Sequence, residues 1–257
     1  MTKIFCIVDG TAQIYRSFYA IKGLTTSKGF PTNAIYGFVN ILNKISKDIK
    51  FNYICVVFDS PKPNFRHKLH PAYKATRAKP SENLIIQIEK IKEITKSLGI
   101  NILQIDGWEA DDIIATIVEK FSQQCEFIVV SSDKDIMQLV KTNVKILDTK
   151  TNEYYTEKEV EKKLGIKPES IPGYLAIVGD NVDNIPGIVG IGPKKAIEIL
   201  KNHQSLEQLL TNPETIPKYK DILIQNKNLL LKNLELVKLK IYDKFSYTID
   251  DFIPKPP

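Results

Sequence analysis

IFCIVDG (residues 4–10) is the stretch from which the rest of the chain is read: an apolar run of strand length that ends on an aspartate. Four more runs of the same kind follow, at 53–58 (YICVVF), 101–105 (NILQI), 126–131 (EFIVVS) and 144–147 (VKIL). Helix-period segments at 33–49, 83–98 and 109–121 separate them. This alternation predicts an α/β fold in which a mostly parallel sheet is flanked by helices. In such sheets ligands gather outside the carboxyl ends of the strands, so the residues just after each strand are where chemistry is sought.

Those residues are acidic. Asp9 follows the first strand and Asp59 the second. Glu109, Asp111 and Asp112 stand at a helix start, Asp133 and Asp135 follow FIVVSS, and Asp180 and Asp183 lie in GDNVDNIPG. Any one of them reads blandly as a strand-end or helix cap. Their recurrence after three strands and in two further clusters is poorly explained by independent capping. Nine carboxylates converging on one sheet edge would repel and raise one another's pKa unless cations neutralised them. Oxygen donors without Cys or His favour Mg²⁺ or Mn²⁺ over Zn²⁺. Two such ions about 4 Å apart activate water and stabilise a leaving oxygen in phosphodiester hydrolysis. Receiver domains and aspartyl-phosphate phosphatases also place Asp after a strand, but use fewer carboxylates. A dinucleotide enzyme is disfavoured because DGTAQIYR takes the place of a glycine-rich phosphate turn.

Past about residue 156 the strand signal stops. Helical segments at 157–164, 168–178, 193–201, 205–210 and 219–237 predict a second, helical subdomain, and the chain divides into 1–165 and 166–257. Within the second part, IPGIVGIGPKKA (185–196) has Gly187, Gly190 and Gly192 to permit a tight hairpin, then Pro193 at a helix start. Free amides there, followed by Lys194 and Lys195, suit a helix-hairpin-helix (about 185–201) that grips DNA phosphates without reading bases. Residues 60–81 hold four Pro, two Arg, four Lys and two His with little periodicity, and read as a long mobile basic loop. In it Arg66, Lys68, Lys74, Arg77 and Lys79 surround Tyr73, which combines phosphate-seeking cations with a ring able to stack on an unpaired base. Such a charge run is otherwise a solvated surface. Arg16, in the first helix and close to Asp9, is a candidate phosphate contact.

Composition excludes other classes. At 43% hydrophobic and 26% charged residues the chain is an ordinary globular protein, neither disordered nor fibrous. No apolar run is long enough to span a bilayer. Cys6, Cys55 and Cys125 are odd in number and lie in or beside strand-like runs, which suits reduced thiols and a cytoplasmic setting.

VDGTAQIYRSFYA (8–20), LTTSKGFPTNAIYGF (24–38), VVFDSPKPNFRHKLHPAYKATR (56–77), GWEADDIIAT (107–116), SSDKDIMQLV (131–140) and GDNVDNIPGIVGIGPKKA (179–196), in this order, resemble the 5′ nuclease domain of bacterial DNA polymerase I and its stand-alone and flap-endonuclease relatives. The resemblance implies a PIN-like nuclease core with a helical arch. It also implies a helix-hairpin-helix that binds duplex backbone and a monovalent cation such as K⁺. Carried over by position, it makes the nine acids metal-binding and places Tyr73, Lys74 and Arg77 in the arch near the scissile phosphate. It further implies a monomer that cleaves DNA at 5′ flaps, nicks and 5′ ends, and removes RNA primers in replication and repair. Polymerase activity does not follow. A PIN-like ribonuclease and a catalytically silent DNA scaffold are the alternatives. The hairpin speaks against the first and the full acid set against the second.

Overall fold

The computed structural model describes residues 2–201 and 205–256, so residues 202–204 and 257 of the second division lie outside it. Strands β1 (Ile4–Asp9), β2 (Tyr53–Val57), β3 (Asn101–Leu103), β4 (Glu126–Val130), β5 (Val144–Asp148) and β6 (Glu153–Tyr155) form one sheet in the order β3-β2-β1-β4-β5-β6. The first five run parallel and β6 is antiparallel. β1 and β2 are buried almost throughout, as apolar strands covered on both faces must be. From β1 the chain winds outward through β2 to β3, then returns to the other side of β1 for β4. The order therefore reverses between β1 and β4, and that switch point opens a crevice at the carboxyl ends of the strands. Asp9 ends β1 inside it.

Helices α1 (Gly10–Ala20), α2 (Asn33–Asp48) and α4 (Glu82–Ser97) cover one face, burying Ile14, Phe38, Leu42 and Ile91 against Val8, Val56 and Leu147. α5 (Ala110–Lys120) covers the other. Beyond β6 come α6 (Glu157–Leu164), α7 (Ile171–Val178), α8 (Pro193–Leu200), α9 (Leu206–Thr211), α10 (Lys220–Gln225) and α11 (Lys227–Val237). Their buried residues, Leu175, Ile199, Leu230 and Leu234 among them, belong to the same apolar cluster as Phe5, Ile113 and Val129. Sheet and helical region thus share a core.

The five read strands and the helices over 33–49, 83–98 and 109–121 are present. Three features differ from the sequence reading. β6 extends the sheet, and Gly179–Asp180 (β7) pairs with Ile185–Pro186 (β8); both are too short to show a period. The stretch 219–237 breaks at Asn226 into α10 and α11. Residues 60–81 are built rather than free. Asn64 caps a short helix α3 (Phe65–Leu69) and the segment then packs onto the 180–186 hairpin, where Lys74 N donates to Asp183 O and Asn184 Nδ2 to Ala72 O.

The last residues strap the two regions together. Phe252, fully buried, packs on Phe5, Phe121 and Tyr247, and Lys255 N donates to Gly99 O beside the start of β3. Phe252→Ala is expected to cost about 3–5 kcal/mol through reduced burial and a cavity. Thermal denaturation should show a drop of roughly 10 °C or more; a change within a degree would mean that the strap does not contribute to the shared core.

Candidate active site

Gly10 lets α1 start directly after β1, since a Cβ there would sit 2.5 Å from the Phe58 ring. Asp9 becomes the cap of α1, its Oδ1 accepting from Ala12 N at 3.0 Å, while Oδ2 accepts from Ser131 Oγ at 2.7 Å. Asp59, two residues past β2, satisfies the first amide of α5 from outside that helix, Oδ1 accepting from Ala110 N at 2.7 Å. Asp111 follows on the first turn of α5. After β4, Asp133 Oδ1 accepts from Asp135 N at 2.9 Å, and Asp135 Oδ1 is buried without any partner. These five line one wall of a cleft of about 660 Å³, whose other walls carry Tyr15, Tyr19, Lys74, Arg77, Lys79, Glu109, Asp180 and Asp183.

The acids divide into two sets. Glu109, Asp180 and Asp183 hold cations: Lys74 Nζ lies 2.7 Å from Glu109 Oε1, Lys134 Nζ 3.1 Å from Asp180 Oδ2, and Arg77 donates to Asp183 Oδ1. Against the cost of burial, Lys74 and Arg66 hold the Glu109 carboxyl below its usual range, and Lys134 does the same for Asp180. The inner acids have no such partner. Burial first, and then the charges of Asp59 and Asp133, push Asp9 up to about 7. Burial and Asp133 push Asp135 up to about 7. Burial with Asp133, Asp9 and Asp59 raises Asp111 well above the carboxylate range, and burial raises Asp59.

An uncompensated group of buried and half-buried carboxyls fits hard divalent cations, whose all-oxygen coordination this donor set matches. Asp135 Oδ1 is a buried acceptor without a partner among them. Among the described residues no three acids are gathered tightly enough to hold an ion by themselves. Water in the cleft would complete the coordination, as Mg²⁺ sites usually require.

The match to family models extends over the chain. Residues 4–165 match the 5′-3′ exonuclease N-terminal resolvase-like domain and residues 166–257 the 5′-3′ exonuclease C-terminal SAM fold. A 5′-3′ exonuclease of Aquifex aeolicus is 49% identical over 213 residues, 82% of this chain and 74% of that protein. The chain belongs to the 5′-3′ exonuclease family. It is therefore a nuclease, a hydrolase of phosphodiester bonds. DNA polymerase I of Caldicellulosiruptor bescii is 39% identical over 82% of this chain but only 26% of its own length, so the chain spans about a quarter of the polymerases it matches. The T5 D15 protein co-crystallised with metal ions superposes with a TM-score of 0.79 at 25% identity, covering 92% of this chain and 90% of that one. A complex of bacteriophage T5 D15 flap endonuclease with DNA and metal ions gives 0.77 at the same identity, over 92% and 89%.

Eight of the nine read acids line this cleft; Asp112 does not. It is fully buried and forked by Arg66, with 2.6 Å to Nη1 and 2.8 Å to Nη2, and also accepts from Lys240 N at 2.8 Å. Neighbours on a helix point about 100° apart, so Asp111 faces the cleft and Asp112 faces α3. The DNA-binding reading of Arg66 falls with it. The guanidinium, 2% exposed, is spent on Asp112, on Glu109 Oε2 at 3.3 Å and on the carbonyls of Leu236 and Lys238. Tyr73 is not an open stacking platform either: its ring is 4% exposed and its hydroxyl donates to Glu109 and Asp183 at 3.1 Å. Arg16 leaves the site. The face of α1 turned to the cleft is Thr11, Ala12, Tyr15 and Tyr19, and Arg16, one step round from Tyr15, binds Thr149 Oγ1 and O instead. Lys74, Arg77 and Lys79 do line the cleft.

The hairpin is built as its glycines require. A Cβ on Gly187 would meet Val178 O at 2.1 Å, and Gly190 has φ +83°. Gly192 caps α8, Pro193 begins it, and Lys194 and Lys195 are exposed, Lys195 Nζ donating to Gly190 O. The sequence reading missed Lys134, though its place between two aspartates in SSDKD was visible, and missed Ser131, whose role needs the β1–β4 register.

Two outcomes are expected. Arg66→Ala strands Asp112 in the core and should cost about 3–5 kcal/mol in denaturant unfolding, whereas Arg66→Leu with Asp112→Leu should recover most of it; a single-mutant effect below about 1 kcal/mol would remove this pair from the fold's supports. The second outcome concerns pH. A carboxyl with a raised folded pKa keeps its proton longer in the fold than unfolded, so its contribution to stability falls as pH rises through that interval. For Asp9 and Asp135 the interval runs from the ordinary 3.8 to about 7. In chelator, Asp111→Asn should raise Tm by roughly 3 °C or more near pH 8, and by much less near pH 4 where the acids are protonated. Equal shifts at both pH values would show that charge crowding is not the cause.

Proposed function

We propose that this chain is a structure-specific DNA 5′ nuclease, acting as a 5′-3′ exonuclease and 5′ flap endonuclease at flaps, nicks and 5′ ends, including RNA-primed ones. The observation that carries the reading is the inner set Asp9, Asp59, Asp111, Asp133 and Asp135: five carboxyls without a cation, at the switch point of a parallel sheet. These five, with Asp180 and Asp183 on the opposite wall, are the residues to hold two Mg²⁺ or Mn²⁺ ions. Bound there, the ions supply an activated water and a sink for charge on the leaving oxygen.

The chain's own groups do the rest. The inner acids fix the donor geometry from helix caps and strand ends, which are rigid. Lys74 and Arg77, held by Glu109 and Asp183, stand where a phosphate entering the cleft competes for them, and with Lys79 they draw the strand in. Gly187, Gly190 and Gly192 shape the hairpin, and with the start of α8 and the exposed Lys194 and Lys195 they suit contact with duplex phosphates and a bound K⁺. The family-model boundary at 165/166 supports a division into a nuclease core, 1–165, and a duplex-binding part, 166–257. Among the described residues no helix is long and apolar enough to cross a membrane. We place the protein in the cytoplasm, as a monomer; its three cysteines are free and buried.

Mg²⁺-dependent cleavage of labelled flap DNA tests the reading, and no product with Mg²⁺ or Mn²⁺ would sink it. Asp133→Asn should remove nearly all cleavage, while Asp183→Asn should lower it and raise the Mg²⁺ needed, with DNA binding in Ca²⁺ kept in both. Lys194→Ala with Lys195→Ala should weaken duplex binding for every sequence and flatten the salt slope by about 0.9 for each phosphate that is no longer neutralised; an unchanged slope would move the duplex grip elsewhere.

A further inference from the structure

Lys134, paired to a cleft acid, comes from neither the 60–81 segment nor the hairpin. It stands between Asp133 and Asp135 in sequence, and its ammonium lies 3.1 Å from Asp180 Oδ2 on the hairpin. The other oxygen of Asp180 accepts from Val182 N at 2.7 Å and Asp183 N at 3.3 Å, so the carboxylate is saturated only while Lys134 is in place. On the near side Asp135 leaves a buried oxygen with no partner. One unit charge therefore sits in the space between two acids, close to where a second divalent cation would draw its ligands. Its side chain is 56% exposed, which leaves it free to withdraw, whereas the buried Arg66 is not.

We propose that Lys134 is a positioning residue that occupies the weaker of the two cation positions in the metal-free enzyme, and that a divalent ion must displace it to bind Asp180. This rests on the two-ion reading of the site. The ammonium keeps Asp180 and Asp135 from repelling each other, so the β4 loop and the β7–β8 hairpin stay in register without metal. The displaced lysine is then available to a DNA phosphate. Lys134 thereby sets the ion concentration at which the second position fills, and makes that filling competitive with an internal charge.

The test is Mn²⁺ binding to the intact, DNA-free protein, counted by electron paramagnetic resonance and calorimetry, with a parallel melt in chelator. Wild type should show a tight and a weaker ion. In Lys134→Gln the weaker ion should tighten about three- to tenfold, as removal of a nearby unit charge implies, while the chelator melt moves down. Lys134→Arg should restore wild-type binding within about twofold. Lys79→Gln, which removes a cleft charge not paired to Asp180, should change the weaker ion by less than Lys134→Gln does. A purely structural lysine would lower the melt and weaken the ion or leave it unmoved, and that result in folded Lys134→Gln overturns the proposal, as does an equal gain in Lys79→Gln. Absence of any Mn²⁺ binding to wild type would instead overturn the metal reading of the site.

Discussion

Like charges brought to one place by backbone geometry set the terms for the rest of this molecule. Parallel strands deliver their carboxyl ends to a common edge, and here β1, β2 and β4 each deliver acids within a few residues of that edge. Capping fixes them there: Asp9 and Asp59 each satisfy a helix amide, so neither can swing away without leaving the amide bare. Burial and the neighbouring carboxylates raise the pKa values of Asp9, Asp111 and Asp135, so these three give up their protons only at higher pH and the crowding is eased below it. A site that stores repulsion in this way is prepared for cations and loses little on binding them.

The outer acids show the opposite solution. Each carries a lysine or arginine, and all these pairs lie between segments distant in sequence: Lys74 to Glu109, Arg77 to Asp183, Lys134 to Asp180. The first two hold the basic segment to the cleft, and the third joins the loop after β4 to the β7–β8 hairpin. Beneath them the buried Arg66–Asp112 fork ties α3, α5 and the strand of chain after α11 into one body. Breaking a buried pair is costly, so this fork anchors the segment, whereas the partly exposed pairs above it are exchangeable. Anchored base and exchangeable tip are what a segment that must admit a nucleic-acid strand requires.

The sheet, and the gathering of eight of the nine acids at one cleft, were legible chiefly because apolar runs followed by Asp carry both strand and position in a few letters. The orientation of charges in residues 60–81 was not. Composition announces cations, yet Arg66 turns inward because Asp112, a helix step from Asp111, is buried opposite it. Nothing local in the sequence marks that register. Tyr73, at the cleft but closed to stacking, and Arg16, turned away from it, have the same reason: an aromatic ring or a guanidinium near the site says nothing about whether Glu109 and Asp183, or Thr149, will claim it. β6 escaped notice because three residues carry no period.

The central claim is that the inner carboxyls destabilise the metal-free fold and that divalent cations relieve them. Melting temperature with Mg²⁺ against chelator, followed from about pH 5 to pH 8, measures this directly. Ligand binding to the folded state at about 100 times Kd adds about 2.7 kcal/mol. The account predicts a rise of several degrees with Mg²⁺ near pH 8 that shrinks towards pH 5, where protons already occupy the site. A melting temperature indifferent to Mg²⁺ near pH 8, or a gain that is the same at both ends, would contradict it.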